Sequence, residues 1–199
     1  MKLFKSLLLY CIVLCGFATC SCSKMDKAAD GIVGSYVLDE ALWLGESEFG
    51  AFVDLDGDGK SRDRIDLELQ RYNALGELTS LPFAGAVTSP DNESSGSIWL
   101  RIPLQDLQKD GDGYLVSGAA APAVGFEYEL DSSGAVRIAK EVDYDEVLDF
   151  CPEQYVGVNS AKILGISDGL IELTAFVKYY DFNVDRILTG PVRLIYRRI

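Results

Sequence analysis

The strongest constraint on the fold is the alternation of apolar and polar residues along the chain after residue 30. From residue 31 onward, short stretches rich in Val, Ile, Tyr, Phe and Trp are separated by clusters of Gly, Asp, Asn, Ser and Pro. Residues 98–104 (IWLRIPL) and 126–130 (FEYEL) place apolar side chains at every second position, as half-buried strands do. No segment keeps a 3.6-residue spacing for long enough to predict a packed helix. The pattern favours one antiparallel β domain.

The same reasoning gives the approximate positions of the elements. Strands are predicted at 33–43, 49–54, 64–72, 98–104, 114–117, 126–130, 135–142, 163–166, 170–179 and 192–199. Short helical turns are predicted at 104–108, 143–149 and 184–188. A meander with this many strands has edges to protect, and closure into a barrel removes them. We therefore expect an all-β fold, a single antiparallel meander β-barrel of about 8–10 strands with minor helical turns.

The N-terminal segment has the features of an export signal. Lys2 and Lys5 give it a basic start, and residues 7–17 form an uninterrupted apolar run. That run is too short to cross a bilayer as a helix, but it suits the core of a signal peptide. We therefore expect residues 1–21 to be a signal peptide that is removed.

The residues that follow this run, Ala18-Thr19-Cys20-Ser21-Cys22, resemble the lipobox of bacterial lipoproteins. In that family the cysteine is acylated and becomes the first residue of the mature protein. Cys22, preceded by a serine, is the predicted lipidation site, and Cys20 is the alternative. An ordinary secretory signal cleaved nearby is the competing interpretation. Residues 22–30 would then form the lipidated cysteine and a polar tether, and residues 31–199 the β-barrel domain.

Lipidation would place the protein in the cell envelope, anchored to the outer membrane with its body on the periplasmic or the cell-surface face. Cys151 is the only cysteine in the body of the chain, so the sequence does not predict a disulfide framework. A pair between Cys22 and Cys151 is open only if Cys20 is the anchor.

Both ends of the predicted domain carry a further resemblance. Gly34-Ser35-Tyr36 opens the first strand, and Tyr196-Arg197-Arg198 ends the last. This resembles the lipocalin pattern, in which Gly-x-Trp on the first strand lies beneath an arginine from near the end of the barrel. Together with the lipoprotein signal and an Asp-rich turn, it makes the chain similar to lipocalin-like lipoproteins of Gram-negative gut bacteria. The alternative is an unrelated β-sandwich.

The resemblance implies a barrel closed at Gly34, Tyr36 and Arg197. We expect Arg197 or Arg198 to lie against the ring of Tyr36, where a guanidinium can stack and bond nearby carbonyls.

The most specific local motif is DLDGDGK at 54–60. It resembles the first half of an EF-hand calcium loop, which implies Asp54, Asp56 and Asp58 as side-chain ligands and the Lys60 carbonyl as a backbone ligand. The twelfth position of that loop needs a bidentate Glu, and Ile65 stands there.

Calcium accepts irregular oxygen shells, so Asp63 or Asp66 could complete the site. The alternative is a polar hairpin turn in which Lys60, Arg62 and Arg64 relieve the repulsion between the carboxylates. A second Asp-Gly run, at 109–113, is predicted to be only a turn.

Composition excludes several function classes. The chain has no histidine, so it cannot form a Ser-His-Asp triad, a Cys-His pair or an imidazole-based metal site from its own residues. Its net charge of −13 is the opposite of what phosphate binding needs, so nucleic acid is not expected as a partner. A glycoside hydrolase needs only two carboxylates. Candidate acids for that reaction crowd one segment at Asp143, Asp145, Glu146, Asp149 and Glu153.

We expect a binding or accessory module rather than an enzyme, because no catalytic constellation stands out. Aromatic residues are spread over many predicted strands and would line a cup or fill the core. The expected ligand is small and apolar or sugar-like, held in the barrel. The alternative is a structural or assembly partner of another envelope protein, with a filled barrel. A hydrolase with paired carboxylates is the third hypothesis.

Overall fold

The computed structural model describes residues 31–45, 52–69, 84–87, 94–140, 142–143, 157–167 and 169–199. These residues form eleven β-strands and one short α-helix. None of the helical segments in this part of the chain is long and apolar enough to cross a membrane. The predicted signal peptide, both candidate lipidation cysteines, the tether and Cys151 lie outside the described residues.

The elements follow one another along the chain with a single helix early in the order. In chain order they are β1 (Gly34–Trp43), α1 (Ile65–Glu68), β2 (Ala84–Val87), β3 (Ser95–Arg101), β4 (Leu104–Asp110), β5 (Gly113–Ala120), β6 (Ala123–Leu130), β7 (Val136–Lys140), β8 (Val142–Asp143), β9 (Gly157–Ser167), β10 (Leu170–Asp181) and β11 (Arg186–Arg198).

Nine strands form one sheet, in the order β7-β6-β3-β2-β1-β11-β10-β9-β8, and β4 and β5 form a second. Every strand pair is antiparallel, which confirms the predicted antiparallel β fold. The described residues contain eleven strands, more than the predicted eight to ten.

The strands β7 and β8 end the nine-stranded order on opposite sides, yet only residue 141 separates them in sequence. In addition, β8 contacts β6. A single residue spans only about 7 Å between its neighbours' Cα atoms. The sheet must therefore curve until its two edges lie side by side.

One prediction that failed concerns residues 104–108, where a helical turn was expected. The segment is part of β4, and both faces of this strand are covered: Leu104 packs in the main core, while Leu107 packs against Tyr180 in a second, smaller cluster. Burial on both faces of a strand produces the three-residue apolar spacing that otherwise suggests a helix. Residues 184–188 also differ from the prediction, because a turn at 182–185 leads directly into β11.

The predicted strand at 64–72 is wrong over its described part, where α1 forms instead. Ile65, Glu68 and Leu69 are almost fully buried while Leu67 is 43% exposed, which is the spacing of a helix face. The sequence alternates apolar and polar residues, but Glu68 is buried because its carboxylate bonds the neighbouring loop. That bond makes a polar residue part of the buried face.

The inward face of the large sheet is filled by side chains. Six large aromatic residues are at most 2% exposed: Tyr36, Trp43, Phe126, Tyr128, Tyr179 and Tyr196. Trp43 meets Tyr179 edge-to-face, with ring centroids 5.9 Å apart. These aromatic residues form the core of the domain.

Candidate functional site

The aspartates of the 54–60 loop converge on one point. Each of Asp54, Asp56 and Asp58 offers a carboxylate oxygen, and these oxygens lie within 4.8 Å of one another. Gly57 and Gly59 have φ of 74° and 79°, in the left-handed region that glycine enters at little cost. These two glycines let the chain curl around the carboxylates, so the cluster could hold a metal ion.

Backbone N–H groups of the loop fix its carboxylates. Asp54 accepts hydrogen bonds from Gly57 (2.8 Å) and Gly59 (3.0 Å). Asp56 accepts one from the N–H of Asp58 (3.1 Å), and Asp58 accepts one from the N–H of Lys60 (2.7 Å). Successive bonds of this kind are Asx turns, and they form from local sequence alone.

The loop is attached to the sheet at its base. Val53 and Arg62 exchange two backbone hydrogen bonds of 2.9 Å, which close the loop like a short hairpin. Beyond β10, the Phe182 N–H donates to the Asp54 carbonyl at 2.9 Å, and the Asp54 N–H donates to the Asp181 carboxylate at 3.2 Å. Asp54 is only 2% exposed as a result. The cluster is therefore built on a rigid part of the fold.

The electrostatics of the cluster favour a cation at Asp56. Burial raises the pKa of this carboxyl; the hydrogen bond from Asp58 opposes the rise, and the charges of Asp58 and Asp54 add to it. At Asp58, desolvation is outweighed by the bond from the Lys60 N–H and by Arg62, so its pKa is lowered. Arg62 and Lys60 therefore offset part of the negative charge of the cluster, and the charge of Arg62 also opposes the rise of the Asp56 pKa.

Not all of the predicted ligands belong to this group. Asp63 is exposed and lies outside the cluster of three. The Asp66 carboxylate accepts bonds from Arg64 at 2.6 and 2.8 Å and from the Ala41 N–H at 3.1 Å, which commits it to β1. The role of the Lys60 carbonyl stays a prediction.

A buried carboxylate that sequence reasoning missed lies directly beneath the loop. Glu68 is fully buried, accepts a hydrogen bond from the Leu55 N–H at 2.9 Å and pairs with Arg62. Burial raises its pKa to about 7, although the Leu55 N–H and Arg62 oppose that rise. Its place in a four-residue helix thirteen residues from Leu55 left no local pattern that could have revealed it.

The first and last strands of the domain are neighbours in the sheet. Tyr36 lies opposite Arg198, and its hydroxyl donates to the Ile32 carbonyl at 2.8 Å. Burial raises the Tyr36 pKa and the charge of Arg198 lowers it, which shows that the guanidinium is close. The Arg198 Nε lies 2.7 Å from the position a Gly34 Cβ would take. Arg197 instead pairs with Asp39 on the outside.

The carboxylates suggested for glycoside hydrolysis cannot be placed. Asp143 lies in β8, but its side chain is outside the described part of the structure. The other four lie in the segment 144–156, which is also outside it. The hydrolase hypothesis stays a prediction.

A groove of about 450 Å³ opens between the start of β7 and the end of β9. Its walls are mainly aliphatic and glycine residues, and none of the lining residues is aromatic. The large aliphatic side chains are Ile32, Val136, Ile138, Ile163, Leu164 and Ile166. A volume of this size falls in the range of small-molecule sites, about 300–1,000 Å³.

Comparisons of the chain with protein-family models, curated proteins and solved structures found no match. The described residues form two candidate sites of different chemistry. The aspartate loop offers hard oxygen donors suited to a hard cation. The groove offers an apolar surface suited to a small apolar molecule.

Proposed function

We propose that this protein is a lipid-anchored binding module of a bacterial cell envelope, and that it holds a small apolar ligand in the groove between β7 and β9. The observation that carries the proposal is the 450 Å³ volume with its aliphatic walls. Six large aromatic side chains are packed in the core, and none of the residues that line the groove is aromatic. The lining therefore favours an apolar ligand over a sugar-like one.

The curvature of the sheet supports a lipocalin-like barrel. The edge strands β7 and β8 are joined through one residue, and β1 and β11 are paired along most of their length. The strand β7 pairs with β6, and β8, which follows it, pairs with β9, so the two together would close the sheet on itself. The groove opens beyond the point where the pairing of β8 with β9 ends. In this view the ligand site is a gap in the barrel wall.

The predicted anchor would bring the groove close to the membrane. Gly31 lines the groove and follows Cys22 by nine residues, which span at most about 30 Å when extended. Replacing Cys22 with Ala should release the protein from the membrane fraction. Release by Cys20→Ala instead would move the anchor, and release by neither would contradict lipidation.

Ligand binding can be tested with an uncharged apolar fluorophore, N-phenyl-1-naphthylamine, on the purified domain. Gly165 lines the groove and a Cβ there would meet no atom within 4 Å, so Gly165→Leu adds an apolar side chain at the groove wall. We expect this variant to lose the fluorescence increase of the wild type. Gly157→Leu, on the same strand and equally unobstructed, is the matched control. Equal fluorescence in all three proteins would contradict the proposal.

We also propose that the aspartate loop binds calcium as a structural ion. Three carboxylates and water fit an oxygen-ligand cation, and the missing bidentate Glu implies modest affinity, a Kd of roughly 10⁻⁴ to 10⁻³ M as in extracellular modules. Calcium at five to ten times its Kd would add about 1 kcal/mol, or roughly 2–4 °C in Tm. Asp56→Ala should abolish the rise, and Asp112→Ala, in the β4–β5 turn, should keep it. No rise in the wild type would leave the loop an acidic turn.

A second candidate function rests on an exposed apolar row on the outer face of the sheet. Leu44 donates its N–H to Pro191, and Pro191 lies opposite Phe176. Leu44 and Phe176 are 51% and 42% exposed. A row of this kind suits contact with another envelope protein. Native mass spectrometry of wild type and Phe176→Lys would test it, since only the wild type should carry a bound protein.

A further inference from the structure

We propose that the groove binds a single-chain anionic amphiphile, a long-chain carboxylate, with its alkyl chain along β9 and its carboxylate at the Arg198 end. This inference rests on the proposed function of the groove. It adds the chemical class of the ligand and the direction in which it lies.

The length of the groove suits a single alkyl chain. Its β9 wall runs from Ile163 to Ser167, a rise of roughly 13 Å at about 3.3 Å per residue. With C–C bonds of about 1.5 Å, an extended chain of about ten carbons has a similar length. Ile166, Val136 and Ile138 line this stretch and also pack on the core, so the wall behind the chain is dry.

The groove lies between two strands, but its β9 wall is poorly suited to pairing with an added peptide strand. The pairing of β9 with β10 slips by one residue between Ile163 and Gly165, which leaves Leu164 as a bulge that is 53% exposed. Bulges at sheet edges interrupt the hydrogen-bond register that a partner strand would need. An alkyl chain needs no such register, so the bulge favours it over a peptide.

One end of the groove carries positive charge. The Arg198 guanidinium donates to the Gly31 carbonyl at 3.2 Å, and the Arg198 N–H donates to the Gly169 carbonyl at 2.8 Å. Both of these glycines line the groove. Arginine recognises carboxylates through paired charge-assisted bonds. The guanidinium therefore stands where the head of a chain lying in the groove would be.

Two further cations border the groove, in a chain whose net charge is −13. Arg137 stands between the lining residues Val136 and Ile138, and Lys162 directly precedes Ile163. Arg137 lies opposite Glu129 in the β6–β7 pair and its charge also acts on Asp131, so Arg198 is the cation on which the proposal depends. A cation at one end of the groove complements an anionic amphiphile and opposes a cationic one.

The test uses titration calorimetry with three probes that share a twelve-carbon chain: dodecanoate, dodecanol and dodecyltrimethylammonium. Wild type should bind dodecanoate at least tenfold more tightly than dodecanol, and the cation most weakly. Gly165→Leu should weaken dodecanoate binding at least tenfold, because it changes the shape of the groove wall. Gly157→Leu should bind as the wild type does.

The charge is tested separately with Arg198→Gln, which should weaken dodecanoate about tenfold and leave dodecanol unchanged. Arg193→Gln, on the same strand but paired with Glu172, is the control and should change neither. Thermal melting of each variant establishes that it is folded. Retention of dodecanoate affinity in folded Arg198→Gln would overturn the proposed orientation.

The remaining outcomes separate this inference from the proposed function. Equal binding of all three amphiphiles, lost in Gly165→Leu, would overturn the anionic head group and keep the apolar site. Absence of binding by every amphiphile and by the uncharged fluorophore would overturn both. A dimer in sedimentation that Gly165→Leu dissociates would show that a second copy occupies the groove, and would overturn the amphiphile.

Discussion

Replacing Gln105 with Leu should cost this domain a large part of its stability. Gln105 is 1% exposed and lies in β4, which belongs to the small sheet. Its amide nitrogen donates to the carbonyls of Leu55 (2.8 Å) and Tyr180 (2.7 Å), and its amide oxygen accepts from the Tyr180 N–H (2.8 Å). Within the described residues, the pairing of β10 with β9 ends at Lys178, and this one side chain bonds the backbone of Tyr180 as a neighbouring strand would.

The magnitude follows from the groups that the change leaves without a partner. Leucine fills a similar volume, so the stability is lost through unpaired polar groups rather than through a cavity. Two buried carbonyls and one buried N–H lose their hydrogen bonds, and each such group costs about 1–3 kcal/mol. We expect a loss of about 3–9 kcal/mol in the free energy of unfolding. Domains of this kind have about 5–15 kcal/mol in total.

Urea denaturation followed by circular dichroism would measure this loss. Gln108→Leu is the matched control, because Gln108 lies on the same strand with an exposed side chain and should change stability by less than about 0.5 kcal/mol. Hydrogen exchange adds a local readout: the Tyr180 amide should lose protection in Gln105→Leu. A loss of less than about 1 kcal/mol, with that amide still protected, would refute the reasoning.

Three further changes test the packing and the ionisation of the core. Burial raises the pKa of Glu68 from 4.5 to about 7, so the folded state binds the Glu68 proton more tightly than the unfolded state does. The free energy of unfolding should therefore fall by up to about 3 kcal/mol as the pH rises from 4.5 through 7. Urea titrations of Glu68→Gln over the same pH range should lack that fall. Gly190→Ala would place a Cβ 2.8 Å from the Trp43 ring and should cost about 1–3 kcal/mol in thermal melts, while Gly157→Ala, with open space, should not. Tyr179→Phe should cost about 1–2 kcal/mol in urea denaturation, because its hydroxyl donates a buried 2.6 Å bond to a backbone carbonyl.

Strands with alternating burial are the easiest to predict from the sequence. In β3 and β6 every second side chain is buried, so periodicity alone identifies them. The errors fall where a contact with a residue distant in sequence buries a side chain that the local pattern does not place in the core. Leu107 is buried on the other face of β4 from Leu104 because Tyr180 packs against it, and Glu68 becomes buried because the loop across from it supplies an N–H.

The candidate sites divide in the same way. The aspartate cluster could be predicted because Asp54, Asp56 and Asp58 are neighbours in sequence and their turns are bonded locally. The support beneath it could not, because Asp181 reaches Asp54 across 127 residues. The groove could not be predicted either, since it exists only where the curvature of the sheet brings β7 opposite β9.

The two proposed sites lie at opposite ends of β10. Leu170 follows Gly169, which lines the groove, and Asp181 at the other end bonds Asp54 of the aspartate loop. The eleven steps between these ends correspond to about 36 Å of strand. Gly31 lines the groove, so the groove is the end of β10 nearer to the predicted Cys22 anchor and the loop is the end farther from it. A rigid strand of the core joins the sites, so calcium should stabilise the loop end without changing the affinity of the groove for its ligand.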